Sequence, residues 1–262
     1  MTGNTTGERD GQLASGPIPR RLACLALAGF LSLIGPADVL AFDCPAPRQP
    51  SIPKSEEPAI NLDKHKKQLR AYVANGYDKD VKLVLDDALA YVMSRAGKVE
   101  HPAVVLDIDE TSLSNLKSLL EGDFGNISRG GICSKAPFAC GVAERIVLAR
   151  AKPIEPTVKF VDAIRAKHIA VFFITGRRDS ERSTTIRSLH GAGFDDWTGL
   201  RMRPDDDKTA SIVPYKSGER AKIESGKKPY TILATIGDQQ SDLDGGHAEC
   251  TFKVPNPFYF AE

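Results

Sequence analysis

Three apolar runs most constrain what this chain can fold into: "AVVLDI" at 103–108, "IAVFFIT" at 169–175 and "YTILATIGD" at 230–238. Each is short, rich in β-branched or aromatic residues, and apolar without alternation. That is the pattern of a strand buried on both faces. Between them lie segments with helical spacing. "PTVKFVDAIRAKH" opens with a proline suited to a first helical turn and carries a stripe of Val158, Val161 and Ile164. "DSERSTTIRSLHGAG" reads as a helix closed by glycine, and "KSGERAKIE" as another. Upstream, 78–96 repeats apolar residues at Val81, Val84, Leu85, Ala88, Leu89 and Val92, with Gly97 as a stop, and 62–74 reads as a further helix. "GLRMRP" and "TFKVPNP" are short strand candidates. Strands alternating with amphipathic helices predict an α/β fold: a mostly parallel sheet covered on both faces.

A chain of 262 residues suffices for one sizeable core. The formal net charge is +1, which speaks against a nucleic-acid or membrane partner held by bulk charge.

The first 41 residues read as a signal peptide. Arg20 and Arg21 precede an apolar run from Leu22 to Ile34, and small cleavage residues stand at Val39 and Ala41. That run is shorter than the ~20 residues a membrane span needs, and neither Cys24 nor Cys44 has a lipoprotein context. An exported chain, periplasmic or secreted and without a stable membrane anchor, is the expectation. The prolines at 45–58 make 42–59 a linker, leaving 60–262 as the folded domain.

Removal of the leader leaves Cys44, Cys133, Cys140 and Cys250. An even number in an oxidising compartment predicts two disulfides. Three connectivities exist; Cys133–Cys140 with Cys44–Cys250 is favoured, a free buried thiol at Cys250 being the alternative. No Cys-x-x-Cys pair is present and the histidines are scattered, which speaks against zinc.

In parallel α/β sheets, ligands collect at the carboxyl ends of the strands. After the first run stand Asp107 and Asp109. After the second stand Thr175, Gly176 and Arg177. After the third comes "GDQQSD", with Asp238 and Asp242, and Lys216 lies between the last two. Taken singly, each has a plainer reading. The first acids suit a turn capping a helix near Thr111, the second pair a solvated turn, and Lys216 a surface lysine. Converging on one mouth, they read as a site.

This set resembles the haloacid-dehalogenase-like phosphohydrolase superfamily. More narrowly, "VVLDIDETSLSN", "FFITGR", "YKSGERAKIE", "IGDQQSDL" and "VPNPFY" are similar, in order, to the secreted acid phosphatases of classes B and C, which include the plant vegetative storage proteins. The resemblance runs from about residue 60 to the C-terminus. It implies a Rossmann-like three-layer sandwich with a small helical cap, the cap being the insertion at about 112–152. It also implies an Mg²⁺-dependent phosphomonoesterase. Asp107 would be the nucleophile and Asp109 the acid/base, since an aspartyl-phosphate splits one hard hydrolysis into two easier steps. On extended backbone, two residues apart, their side chains would share a face. Thr175, Gly176 and Lys216 would hold the phosphate, with Lys208 and Lys222 as weaker candidates for the lysine role. Asp107, the Asp109 carbonyl, Asp238 and Asp242 would serve Mg²⁺, a hard cation that takes oxygen ligands. Arg177 reads as structural or as a support just behind the site, and Asp244 stays unassigned. The alternatives are a non-catalytic storage or binding protein on the same fold, or another phosphotransferase. The presence of Asp107 favours the enzyme. The implied partner is a small phosphomonoester, with no nucleic-acid polymer.

Overall fold

The structure, a computed structural model, describes residues 42–51, 61–124 and 151–261. The chain begins with two helices, α1 (Leu62–Asn75) and α2 (Tyr77–Ala96), and then enters the first strand, β1 (Pro102–Leu106). A short strand β2 (Leu113–Ser114) and helix α3 (Leu116–Glu121) follow. After residue 150 come β3 (Lys152–Pro153), α4 (Glu155–Arg165), β4 (Ala170–Arg178), α5 (Arg182–Gly191) and β5 (Gly199–Arg203). The chain ends with α6 (Val213–Ser225), β6 (Thr231–Gly237), α7 (Gln240–Leu243) and β7 (Cys250–Lys253).

Five strands form one sheet in the order β5-β4-β1-β6-β7, with every pairing parallel. The expected α/β sandwich is thus present, with the three apolar runs at its centre. Alternate residues of β1 serve the two faces. Val104 and Leu106 join the larger core with Phe173, Ile236, Val81, Leu85, Val92, Phe160 and Ile164. Ala103 and Val105 face the other way, with Phe172, Ile174, Ile232 and Ile223 of α6. Helices α2 and α4 cover the first face and α6 the second.

Several boundaries differ from the sequence reading. Strand β4 runs on to Arg178, past Thr175, because β5 pairs with it again there after a register shift. Strand β1 instead stops at Leu106, one residue before the acids. The chain then turns on the Ile108 carbonyl, which accepts from the backbone N–H groups of Ser112 and Leu113, both at 2.8 Å. Asp107 still pairs with β6 through its backbone N–H, the chain bends at Ile108, Asp109 makes a single bridge with Leu113, and no helix starts at Thr111. Glu110 sits in the left-handed region at φ 55° to complete that turn.

The antiparallel pair β2–β3 joins the two ends of the expected cap insertion. Most of that insertion, with Cys133 and Cys140, lies outside the described residues. Cys44 and Cys250 are joined as a disulfide. Among the described residues, no helix is long and apolar enough to cross a membrane.

Candidate active site

The carboxyl ends of β1, β4 and β6 lie side by side, because β1 pairs with both of the others. Asp107 follows β1 directly, and its backbone N–H still donates to the Ile236 carbonyl of β6 at 2.9 Å. Asp238 follows β6, and Asp242 lies on α7 one turn later. All three acids are buried, and one carboxylate oxygen from each lies within 4.8 Å of the others. Three buried carboxylates at that spacing are untenable unless positive charge is brought to them.

Lys216 brings one charge. It sits on α6, whose N-terminus follows the loop from β5, and its Nζ donates to Asp107 Oδ1 at 2.6 Å and also to Asp242 Oδ1. Lys208 and Lys222 are exposed, and Lys222 pairs with Glu219. One turn beyond Lys216, on the same helix face, the guanidinium of buried Arg220 donates to the carbonyls of Asp242, Gly246 and Asp244. A single helix thus fixes both the side chain and the backbone of the acidic loop.

Burial pushes the Asp107 carboxyl well above the usual carboxylate range. Lys216 pulls against that, while Asp242 and Asp238 add to the push. Lys216 is itself desolvated, yet the charges of Asp107 and Asp242 keep its ammonium more firmly protonated than in water. Burial, with Asp242 and Glu110 nearby, raises Asp238 to about 7. Three acids against one lysine leave the group short of positive charge, and every donor is a hard oxygen. That donor set fits Mg²⁺ or a similar divalent cation.

Asp238 is also held from behind. Thr111 Oγ1 donates to Oδ1 at 3.1 Å, while Gln239 Nε2 at 2.6 Å and Asn256 Nδ2 at 2.7 Å donate to Oδ2. Asn256 belongs to the "VPNPFY" stretch. So does Tyr259, whose hydroxyl donates to Glu110 Oε2. Burial, with Asp109 close by, raises the Glu110 carboxyl to about 7.

The Asp109 carboxylate does not join the acid group. It turns towards β4, where Arg177 Nε and Nη2 donate to its two oxygens at 2.8 and 2.6 Å. Asn115 Nδ2 adds a third bond at 2.7 Å. Burial works to raise this carboxyl, but the Arg177 charge and these hydrogen bonds outweigh it and hold it low. Thr175 is buried at the end of β4, and its Oγ1 accepts from the Arg177 backbone N–H at 3.1 Å. With that lone pair engaged, the hydroxyl proton is left to donate elsewhere. A Cβ on Gly176 would meet Ile212 Cδ1 at 2.8 Å, so the tip of that side chain would have to turn aside to admit one.

The sequence reading named the acids, Thr175, Gly176 and Lys216. It does not mark Thr111, Asn115, Gln239, Arg220 or Asn256, and it gives Arg177 a structural role or one supporting the site from behind, the second of which fits its grip on Asp109. The "DET" of the first motif and the asparagine of "VPNPFY" were the available signals for Thr111 and Asn256.

A parallel α/β sheet with acids, a hydroxyl and a buried lysine at its strand ends defines the class: a phosphohydrolase of the haloacid-dehalogenase type. The chain belongs to the HAD superfamily, subfamily IIIB (acid phosphatase), whose family model matches residues 55–262. It is similar to Acid phosphatase 1 of Solanum lycopersicum, 32% identical over 72% of this chain and 71% of that one. It is also similar to the Stem 28 kDa glycoprotein of Glycine max, 31% identical over 71% of this chain and 70% of that one. Among solved structures, the fold is shared with the class C acid phosphatase from Bacillus anthracis. That match has a TM-score of 0.57 and 17% identity, covering 77% of this chain and 87% of that one.

Proposed function

We propose that this phosphatase is an exported, Mg²⁺-dependent acid phosphatase that hydrolyses small phosphomonoesters through an aspartyl-phosphate. The observation that carries this reading is the Asp107–Lys216 contact at 2.6 Å inside a buried group of three acids. A carboxylate at the end of a central strand, aligned by a lysine, suits a nucleophile better than a scaffold ion pair.

In the first step an Asp107 oxygen attacks phosphorus, the P–O bond to the leaving group breaks, and Asp109 gives its proton to the leaving oxygen. In the second step Asp109 takes a proton from water as that water attacks phosphorus and frees Asp107. Thr175, the Gly176 backbone N–H and Lys216 bind the phosphoryl oxygens, where charge is spread in the transition state. Asp107, the Asp109 carbonyl, Asp238 and Asp242 hold Mg²⁺, which supplies charge neutralisation at the phosphate. The proposed layout is a leader at 1–41, a proline-rich segment at 42–59 and a phosphatase domain at 60–262. A cap at about 112–152 would exclude water and select the leaving group.

The test is phosphate release by the purified mature chain across phosphomonoesters, with and without Mg²⁺, beside Asp107→Asn. Release that depends on Mg²⁺ and is lost in the variant is expected. Full activity after exhaustive chelation removes the metal from the reading, and full activity in Asp107→Asn removes the nucleophile.

A further inference from the structure

The Asp109 carboxylate accepts three hydrogen bonds, two of them from one buried guanidinium, and all from residues with no role in binding phosphate or metal. Arg177 is the residue after Thr175-Gly176, so the last residues of β4 carry both the phosphate donors and this guanidinium. Its side chain is only 3% exposed, against 26% for Asp109. A desolvated guanidinium meeting both oxygens of one carboxylate fixes the plane of that carboxylate as well as its charge. Arg177 is fixed in turn by Thr185 of α5, whose Oγ1 accepts from Nη1 at 3.3 Å.

Asn115 comes from the opposite side. Its backbone N–H donates to Glu110 Oε1 at 2.6 Å, and Glu110 is held by Tyr259. Its side-chain Nδ2 donates to Asp109, while its Oδ1 is buried with no hydrogen-bond partner among the described residues. An orphaned buried acceptor costs about 1–3 kcal/mol. The amide is therefore oriented by Asp109 and not by any need of its own oxygen.

We propose that Arg177 and Asn115 are positioning residues that together aim the Asp109 carboxyl at the leaving-group oxygen. This rests on the acid/base reading of Asp109 given above. Asp109 Oδ1 accepts two hydrogen bonds, from Arg177 Nη2 and Asn115 Nδ2, and Oδ2 accepts one, from Arg177 Nε. The carboxyl pivots on the doubly held Oδ1, and Oδ2, once released from the single Arg177 Nε bond, is the oxygen that binds the catalytic proton. Giving up the single Arg177 Nε bond frees Oδ2 to donate to the leaving oxygen. When water attacks, Oδ2 takes the proton back and the Nε bond re-forms.

The test compares two esters in the Mg²⁺-loaded enzyme: p-nitrophenyl phosphate, whose leaving group departs with little help, and glycerol phosphate, whose alkoxide needs a proton. The quantity read is kcat/KM, which reports steps up to phosphoryl transfer. Arg177→Lys keeps the charge but loses the fork, and Asn115→Ala removes the third bond. Both are expected to lose about 10- to 100-fold on glycerol phosphate and several-fold less on the nitrophenyl ester. Asp109→Asn serves as reference and is expected to show the same selectivity, more strongly. If Asp109→Asn is selective while both clamp variants lose equally on the two esters, the clamp is overturned and the acid/base reading stands. If Asp109→Asn itself is unselective, that reading falls and the clamp falls with it. Thermal unfolding of each variant separates a misfolded protein from a mispositioned acid, and Asn115→Ala, at a half-buried position just before α3, keeps the test open should Arg177→Lys fail to fold.

Discussion

Lys216 Nζ lies 2.6 Å from Asp107 Oδ1, with the two side chains only 5% and 8% exposed, and the same ammonium reaches Asp242. Removing this lysine strands two buried carboxylates, whereas changing Asp107 to an amide removes a charge and keeps an acceptor. Lys216→Met is therefore expected to destabilise the metal-free fold by about 3–5 kcal/mol. Added Mg²⁺ should restore part of that loss. Asp107→Asn should stay as stable as the parent while phosphate release falls by at least about 10³-fold, since an amide cannot attack phosphorus. Urea unfolding and phosphate release check the pair. Turnover of Asp107→Asn within tenfold of the parent, with normal circular dichroism, would sink the assignment.

Two glycines in the mouth make contrasting predictions. A Cβ on Gly237 would lie 2.3 Å from Asp242 Cβ and 2.4 Å from its Oδ2, so α7 and its carboxylate must move. A Cβ on Gly176 would meet only the far end of Ile212, which can turn aside. Gly237→Ala should weaken Mn²⁺ binding, read by calorimetry, by at least about tenfold, the scale on which disturbed ligand orientation costs affinity. Gly176→Ala should leave Mn²⁺ affinity within a few-fold. Equal effects in the two variants would remove Asp242 from the ligand set.

Glu110 and Asp238 are raised from the normal carboxylate range to about 7, chiefly by burial. A folded-state pKa above the unfolded one means the folded protein binds more protons between the two values. The stabilisation is complete below the unfolded value, near 4–5, and is lost as pH rises through about 7. The metal-free protein should therefore be more stable at pH 5 than at pH 8, with Glu110 contributing on the order of 1–3 kcal/mol. Glu110→Gln should flatten the profile. A thermal midpoint that rises between pH 5 and pH 8 in the metal-free protein would show that these acids ionise freely.

The sheet was legible because its three central strands are buried on both faces and so read as unbroken apolar runs. The site was legible because its acids, threonine and lysine stand just after those runs or at the start of the next helix. What could not be read depends on contacts between distant points of the chain. Asn256 reaches Asp238 across 18 positions, Arg220 reaches the carbonyls of Asp242 to Gly246, and Arg177 reaches Asp109 across 68. Such bonds leave no periodic trace, and a polar residue on a loop looks the same whether it faces water or a buried carboxylate. The bend at Ile108 was hidden for a related reason, since it is set by backbone N–H groups four and five residues on converging on one carbonyl, which several sequences can do.

The Cys44–Cys250 disulfide joins positions 206 residues apart and gives the last prediction. Closing a loop that long restrains the unfolded chain by about 5 kcal/mol in the chain-entropy model. In the folded protein the same segment is also held without the bond. Phe42 lies under the Arg95 guanidinium at 5.3 Å, and Arg95 forks onto Glu249, next to Cys250, at 2.8 and 2.7 Å. Arg48 pairs with Asp87, and the Ser51 backbone N–H donates to Asp80 at 2.7 Å. Reduction should therefore leave the fold and its turnover at 25 °C intact while lowering the thermal midpoint by about 10 °C or more, given ~2–4 °C per kcal/mol for a domain of this size. Cys44→Ser should reproduce that drop without reductant. Alkylation and mass spectrometry fix how many thiols are free in each sample. A midpoint that does not move when Cys44 and Cys250 are both alkylated would mean that the arginine and serine contacts, and not the covalent bond, hold this end of the chain.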